Sequence, residues 1–224
     1  MASYSTIAHF SYFEEVDITA LEELRQHLNA TRPEGAPKLT YLPFIMLACV
    51  KALAKSPECN ALYDDDAGVV TRHQAVNLGI ATQTDRGLYV PVVKNVETMD
   101  VWTAAAEMQR VSGAARKGTA SLDELGGSTF TITSLGRDGG LGATPIINHP
   151  EVAILGIGKS EIKQQEGGDL IVRSTTAARH TGRGGHPGAL AKRCRRGASR
   201  RRHQPAPGAT RRPKGVDRGR GPRG

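Results

Sequence analysis

Leu21, Leu24 and Leu28 recur at spacings of three and four, so the sequence predicts an amphipathic helix running from an Asp17 cap to about Asn29. Ahead of it, His9–Val16 alternates loosely and carries aromatics, which predicts a strand. Thr40 suits the cap of a second helix, with Pro43 in the first turn where a missing N–H costs little. That helix, to about Lys55, is apolar nearly all round, which predicts burial, and Ser56-Pro57 ends it. Asn60–Asp64 and Val69–His73 flank the turn Asp65-Asp66-Ala67-Gly68 and predict a hairpin. Val76–Thr82 and Leu88–Val93 flank Asp85-Arg86-Gly87 and predict a second pair.

A long helix is expected from Asp100 to Lys117, stopped by Gly118. Ser121-Leu122-Asp123-Glu124 is a capping box and predicts a short helix. Ser128–Leu135 is β-rich, and a glycine-rich loop, Gly136–Gly142, follows it. Val152–Ile157 reads as a buried strand, and Leu170–Arg173 begins another, after which the pattern stops. Strands with helices gathered between them predict an α/β domain with a mixed sheet.

Charge divides the chain at the same place. The net charge is +8, but residues 173–224 hold 14 Arg and 2 Lys against the single acid Asp217, while residues 1–172 hold 14 basic and 21 acidic residues. The basic segment has only Leu190 and Val216 as large aliphatic residues, too little apolar area to offset the entropy of ordering, so it is expected to be disordered. Its arginines suit phosphate binding, but no aromatics are interleaved for base stacking. Any nucleic-acid binding there is therefore expected to be non-specific. Cys49, Cys59 and Cys194 are odd in number and lack metal spacing, which fits a reducing, cytoplasmic setting. The longest apolar stretch, Leu42–Val50, is far too short to span a bilayer, and the first residues do not form a signal peptide.

Several partial motifs carry little chemistry. Gly156-Ile157-Gly158-Lys159-Ser160 resembles the end of a phosphate-binding loop, but Ala153 stands where the first glycine is needed, so a strand and a turn is the better reading. Gly136–Gly142 lacks the dinucleotide spacing. Asp64-Asp65-Asp66 lacks the spacing and closing Glu of a calcium loop, so a solvated turn is expected and no metal. His73 and His149 are expected to be surface or hydrogen-bonded residues rather than catalysts. Thr133 and Ser134 close a strand just before a glycine-rich loop, a suitable place for a hydroxyl that donates to an oxyanion.

Ordered segments along the body then resemble one family. They are His9–Asp17, Ala20–Arg25, Lys38–Phe44, Asn77–Ala81, Gly87–Val92, Phe130–Gly136, Pro145–Asn148 and Pro150–Gly156. Together they resemble the catalytic domain of the dihydrolipoamide acyltransferases, the core components of 2-oxoacid dehydrogenase complexes, most like the branched-chain type. The resemblance implies a chloramphenicol acetyltransferase-like α/β fold, a mixed sheet with covering helices, here incomplete at both ends. It implies transfer of a branched-chain or acetyl group from dihydrolipoamide to coenzyme A, with both as substrates and no metal. It also implies a homotrimer built into a larger core, served by a lipoyl domain, a decarboxylase and a dihydrolipoamide dehydrogenase.

The family site lies between two subunits. One supplies His-x-x-x-Asp-Gly and the other a hydroxyl, which falls on Thr133 with Ser134 as the alternate. None of the seven His has that spacing; His180 and His186 come nearest in position and do not fit. The catalytic His and Asp are therefore expected to be absent. The division expected is a truncated acyltransferase domain over 1–173 and an Arg/Gly/Ala/Pro-rich tail over 174–224, out of frame with the family sequence. No lipoyl domain, linker or first helix is expected ahead of it. A non-catalytic scaffold subunit and a nucleic-acid binder acting through the tail are the competing functions, and a missing core strand would make the domain aggregate.

Overall fold

Phe130, Ile132, Leu78 and Ile80 alternate with smaller or polar residues, and this period of two makes the centre of a six-stranded sheet. The computed structural model describes residues 9–136, 144–164 and 170–181. In chain order the elements are β1 (His9–Asp17), α1 (Thr19–Ala30), α2 (Tyr41–Lys55), β2 (Ala61–Asp64), β3 (Val69–Arg72), β4 (Leu78–Ile80), β5 (Thr82–Thr84), β6 (Gly87–Tyr89) and β7 (Val92–Val93). There follow α3 (Val101–Lys117), β8 (Phe130–Ser134), β9 (Ala153–Gln164) and β10 (Leu170–Thr181). The large sheet has the order β1-β10-β9-β8-β4-β7. Its centre is parallel, β4 with β8 and β8 with β9, and its remaining pairs are antiparallel. β2–β3 and β5–β6 stand apart as two-stranded hairpins.

The core lies between the middle of the sheet and two helices. Met46, Cys49 and Leu53 of α2 and Ala104, Met108 and Val111 of α3 pack with Leu78, Ile80, Phe130 and Ile132. α2 is buried along Pro43, Met46, Cys49 and Leu53, as its apolar composition requires. α3 starts where Asp100 accepts the Thr103 N–H at 2.7 Å and stops at Gly118, whose φ of +70° is the left-handed conformation that glycine adopts without strain.

Asn77 joins three segments. Its backbone N–H donates to Thr129 Oγ1 at 3.1 Å, its carbonyl accepts the Thr129 N–H at 2.8 Å, its side-chain amide donates to Gly127 O at 3.0 Å, and its Oδ1 accepts the Asn95 N–H at 3.0 Å.

Five expectations need correction. No residue of α1 is buried, and Leu24 is 47% exposed. The helix is held to its neighbours through polar contacts instead: Glu22 takes Arg25 at both oxygens and the Tyr41 hydroxyl, and Asn29 exchanges hydrogen bonds with the Leu39 backbone. Asp17 is not the cap residue itself; Ile18 is, although Asp17 Oδ1 accepts the Thr19 N–H at 2.9 Å. The Ser121–Glu124 box closes in both directions, at 2.8 and 3.2 Å, yet forms only a turn, because Gly126-Gly127 follow it. The pair Val76–Thr82 and Leu88–Val93 is split between the large sheet and a small hairpin. The break falls at Ala81, whose N–H goes to Ile132 O, and at Pro91, which has no N–H to give. Last, the strand that begins at Leu170 does not stop at Arg173. It runs to Thr181 between β1 and β9, so the expected gap in the sheet is not there.

Candidate active site

The period of two along β8 sorts its side chains. Phe130 and Ile132 enter the core, while Thr131 and Thr133 take the opposite face. Thr131 is fully buried, whereas Thr133 is half-buried and Ser134 exposed, so the strand comes out to solvent at its carboxyl end. Thr133 is in register with Gly156 of β9, which has no side chain to crowd it. Beyond it the Leu135 N–H donates to Ile157 O at 3.1 Å, and Gly136 turns the chain with φ of +71°.

The two candidate hydroxyls differ. Ser134 Oγ accepts the Gly136 N–H at 3.3 Å and belongs to the turn, while the Thr133 hydroxyl makes no hydrogen bond among the described residues. A fixed hydroxyl without a partner, on a rigid strand next to solvent, is what donation to a developing oxyanion requires. Most of the glycine-rich stretch, residues 137–143, lies outside the described residues.

Among the described residues no histidine is brought to Thr133. On β10, Ala177 is the residue aligned with Gly156, and hence with Thr133, while His180 pairs with Ala153 and Phe10, toward the start of β8. His186 and the arginine-rich segment lie outside the described residues. His149 Nε2 is 2.9 Å from Asp65 Oδ2, and His73 lies by the β2–β3 hairpin, its N–H donating to Asn60 O at 2.9 Å. The Asp64–Asp66 run is a turn, with Asp64 Oδ1 accepting the N–H groups of Asp66 and Ala67, and no group of metal-ligating side chains occurs among the described residues. Gly156–Ser160 lies wholly within β9, so the partial phosphate-loop match forms no loop. Burial pushes the Cys49 thiol up to about 12, which makes it inert as a nucleophile.

Sequence reasoning missed two polar clusters. In the first, the Arg25 guanidinium grips the Glu22 carboxylate at 2.7 Å through both Nε and Nη2 and sits 5.3 Å from the centre of the Tyr41 ring. The Arg25 hydrogen bonds hold Glu22 down to about 2. Glu22-x-x-Arg25 was visible as a helix pair, but Tyr41 reaches it from another element. The second cluster is centred on Glu151. Its partners lie up to 23 residues away in sequence, so no local pattern marks it. Away from Thr133, a cavity of about 350 Å³ is lined by Thr84, Arg86, Tyr89, Arg116 and Lys117 at the end of α3. No helix among the described residues is long and apolar enough to cross a membrane.

Against known proteins, residues 1–179 match the family model described as 2-oxoacid dehydrogenases acyltransferase (catalytic domain). The chain is 53% identical over 153 residues to the lipoamide acyltransferase component of the branched-chain alpha-keto acid dehydrogenase complex of Pseudomonas putida, covering 68% of this chain and 36% of that protein. It is 41% identical over 157 residues to the dihydrolipoyllysine-residue acetyltransferase component of the pyruvate dehydrogenase complex of Staphylococcus aureus, covering 70% of this chain and 36% of that one. The chain thus spans little more than a third of the length of these relatives. Among solved structures, the dihydrolipoamide acetyltransferase of Azotobacter vinelandii superposes with a TM-score of 0.81 at 33% identity, covering 87% of this chain and 82% of that one. A truncated catalytic core of the 2-oxoacid dehydrogenase multienzyme complex from Thermoplasma acidophilum gives 0.78 at 31%, covering 88% of each.

Proposed function

The chain belongs to the 2-oxoacid dehydrogenase acyltransferase family through its catalytic domain, and from that premise we propose that it is an acyltransferase by descent, in which Thr133 is the oxyanion donor and turnover is largely lost. The reaction moves an acyl group, branched-chain or acetyl, from dihydrolipoamide to coenzyme A. The coenzyme A thiol attacks the thioester carbonyl and must lose its proton, which an imidazole accepts near neutral pH. The tetrahedral intermediate carries an oxyanion, and the Thr133 hydroxyl donates to it before the dihydrolipoyl thiol leaves.

The observation that carries this reading is the half-buried Thr133 hydroxyl, which has no partner among the described residues and stands at the open end of β8 in a chain that matches the family along its body. The greater identity to the branched-chain component than to the acetyl-transferring one favours a branched-chain acyl group. The working form is a trimer within a larger core in the cytoplasm, supplied by a lipoyl domain and by the decarboxylase and dehydrogenase components.

The missing part is the base. None of the seven His stands in a His-x-x-x-Asp-Gly motif, and the tail that begins near residue 174 reads as translation out of frame, while the family match itself runs to residue 179. Translating the coding DNA in its other two frames tests this directly: one of them yields the motif, or the frameshift is wrong. A scaffold role without catalysis is the second reading, favoured by a six-stranded sheet in which β10 fills the place between β1 and β9.

Transfer from S-acyl-dihydrolipoamide to coenzyme A, followed with and without free imidazole, separates the two. Imidazole is expected to raise a near-zero rate by supplying the absent base. Thr133→Ala is expected to remove roughly 10²-fold of the rescued rate, the loss usual for one oxyanion donor. Full turnover without imidazole would contradict the proposal, and a rescued rate indifferent to Thr133→Ala would remove Thr133 from it.

A further inference from the structure

Glu151 is the only fully buried charged residue among the described residues, and the chemistry above makes no use of it. It is 0% exposed. Its Oε1 accepts three hydrogen bonds, from Ser128 Oγ at 2.5 Å, Thr131 Oγ1 at 2.8 Å and Asn148 Nδ2 at 3.0 Å. Its Oε2 is buried without a hydrogen-bond partner among the described residues. Gly79 lies against this cluster: a Cβ there would come within 2.7 Å of Thr131 Oγ1.

We propose that Glu151 is a positioning residue for Thr133, gripping β8 through its contacts with Ser128 and Thr131. Thr131 and Thr133 occupy the same face of one strand, two residues apart, and Ser128 stands just before that strand begins. The backbone at Glu151 is tied in as well: its N–H donates to Asn148 O at 2.8 Å, it bridges to Leu62, and the next N–H, of Val152, reaches Ala61 O at 3.3 Å. The residue thus connects three places: its carboxyl group reaches β8 and the turn before β9, and its backbone reaches the edge of β2. Downstream of this clamp, Thr131 meets Ile154 and Thr133 meets Gly156. The clamp sets the parallel register at whose end the reactive hydroxyl stands.

The surroundings disfavour the ionised form. An ionised carboxylate is stabilised by the three donors at Oε1 but is fully buried, with Oε2 lacking a donor among the described residues, and that burial is costly. Ser128 and Thr131 offer hydroxyls and the turn offers the amide of Asn148. None of these is charged at neutral pH. His149, the titratable residue nearest in sequence, is engaged with Asp65. Burial accordingly raises the Glu151 proton affinity, against the three hydrogen bonds that lower it. A carboxyl raised in this way stabilises the folded state fully below the ordinary carboxylate value and loses that contribution as pH rises through the folded value.

The proposal rests on the reading of Thr133 as oxyanion donor, so its test is independent of turnover. Amide hydrogen exchange at Thr131–Ser134, corrected for intrinsic rates, is measured across pH in the whole chain and in Glu151→Gln and Glu151→Ala. Wild-type protection is expected to fall roughly tenfold for each pH unit between the ordinary and the folded value, then level off. Glu151→Gln, a neutral isostere, is expected to hold its protection flat over the same range, and Glu151→Ala to lose it at every pH. If wild type and Glu151→Gln share one pH dependence, the proposal is overturned. That comparison also decides the matter should Glu151→Ala fail to fold. Were Thr133 shown to be idle by the imidazole experiment, a flat Glu151→Gln profile would still establish the clamp, so the two failures are distinguishable.

Discussion

The two ends of the large sheet are built on different physics. At β8, β4 and β7 the strands are short, from two to five residues, and are covered by α2 and α3, which supply much of the apolar core. At β1, β10 and β9 the strands are long, from nine to twelve residues, and are bound to one another by extended antiparallel ladders. β1 and α1 contribute no residue to the buried core, and the second half of β1 is exposed on both faces. The β8–β4–β7 end is therefore secured by burial under helices and β1 by its main-chain ladder to β10, while β9 joins the two, with Ala153 and Ile157 in the core. The candidate hydroxyl of Thr133 sits on β8, the strand where the covered, parallel part of the sheet meets β9.

The sharpest way to break this contrast is to remove equal volumes from both ends. Ile132→Ala, at a site 1% exposed, should cost about 3 to 5 kcal/mol, while Leu24→Ala, at 47% exposure, should cost about 0.5 kcal/mol or less. Urea midpoints measure both, and equal losses would mean that α1 is buried in solution by something beyond the described chain. Next in size is Gly79→Ala. The added methyl would meet Thr131 Oγ1 and Val90 Cγ1 at 2.7 Å each, so destabilisation of about 1 to 3 kcal/mol is expected from overpacking. Thermal unfolding of this variant in the Glu151→Gln background shows whether the clash acts through the carboxyl cluster.

A further small effect belongs to the exposed end, where only Leu24→Ala should cost less. Glu22 is depressed to about 2 by Arg25, so its contribution is present above the ordinary carboxylate value and disappears as pH falls from there toward 2. The pair is partly solvated, so removing it by Glu22→Gln should cost about 1 kcal/mol at neutral pH, and the variant should lose less stability than wild type on acidification.

What could be read in the sequence follows the same division. α2, α3, their stop signals and β8 are marked by local patterns, because burial under helices imposes a period that neighbouring residues display. The β1–β10–β9 ladder is marked only in part: His9–Val16, Val152–Ile157 and Leu170–Arg173 read as strands, but the pairing of residues 9–17 with residues 173–181 joins distant segments that no local pattern announces. Arg173 was the last residue to look like strand, yet the backbone ladder continues to Thr181 without an apolar alternation to announce it. Within the site, Thr133 was legible from its strand and the glycine-rich stretch after it. Glu151 was not, because a lone Glu after His149-Pro150 acquires meaning only when Ser128, Thr131 and Asn148 come to it.

Asn77 has a dynamic consequence. Because one residue fastens β4 to the start of β8 and to the turn after β7, none of the three can fray alone: releasing Thr129 also loosens Asn95. The stretch from Val76 to Ile132, with α3 strung between its ends, should then melt and reform as a single cooperative block, so that the strand bearing Thr133 inherits the rigidity of the whole crossover rather than that of its own five residues.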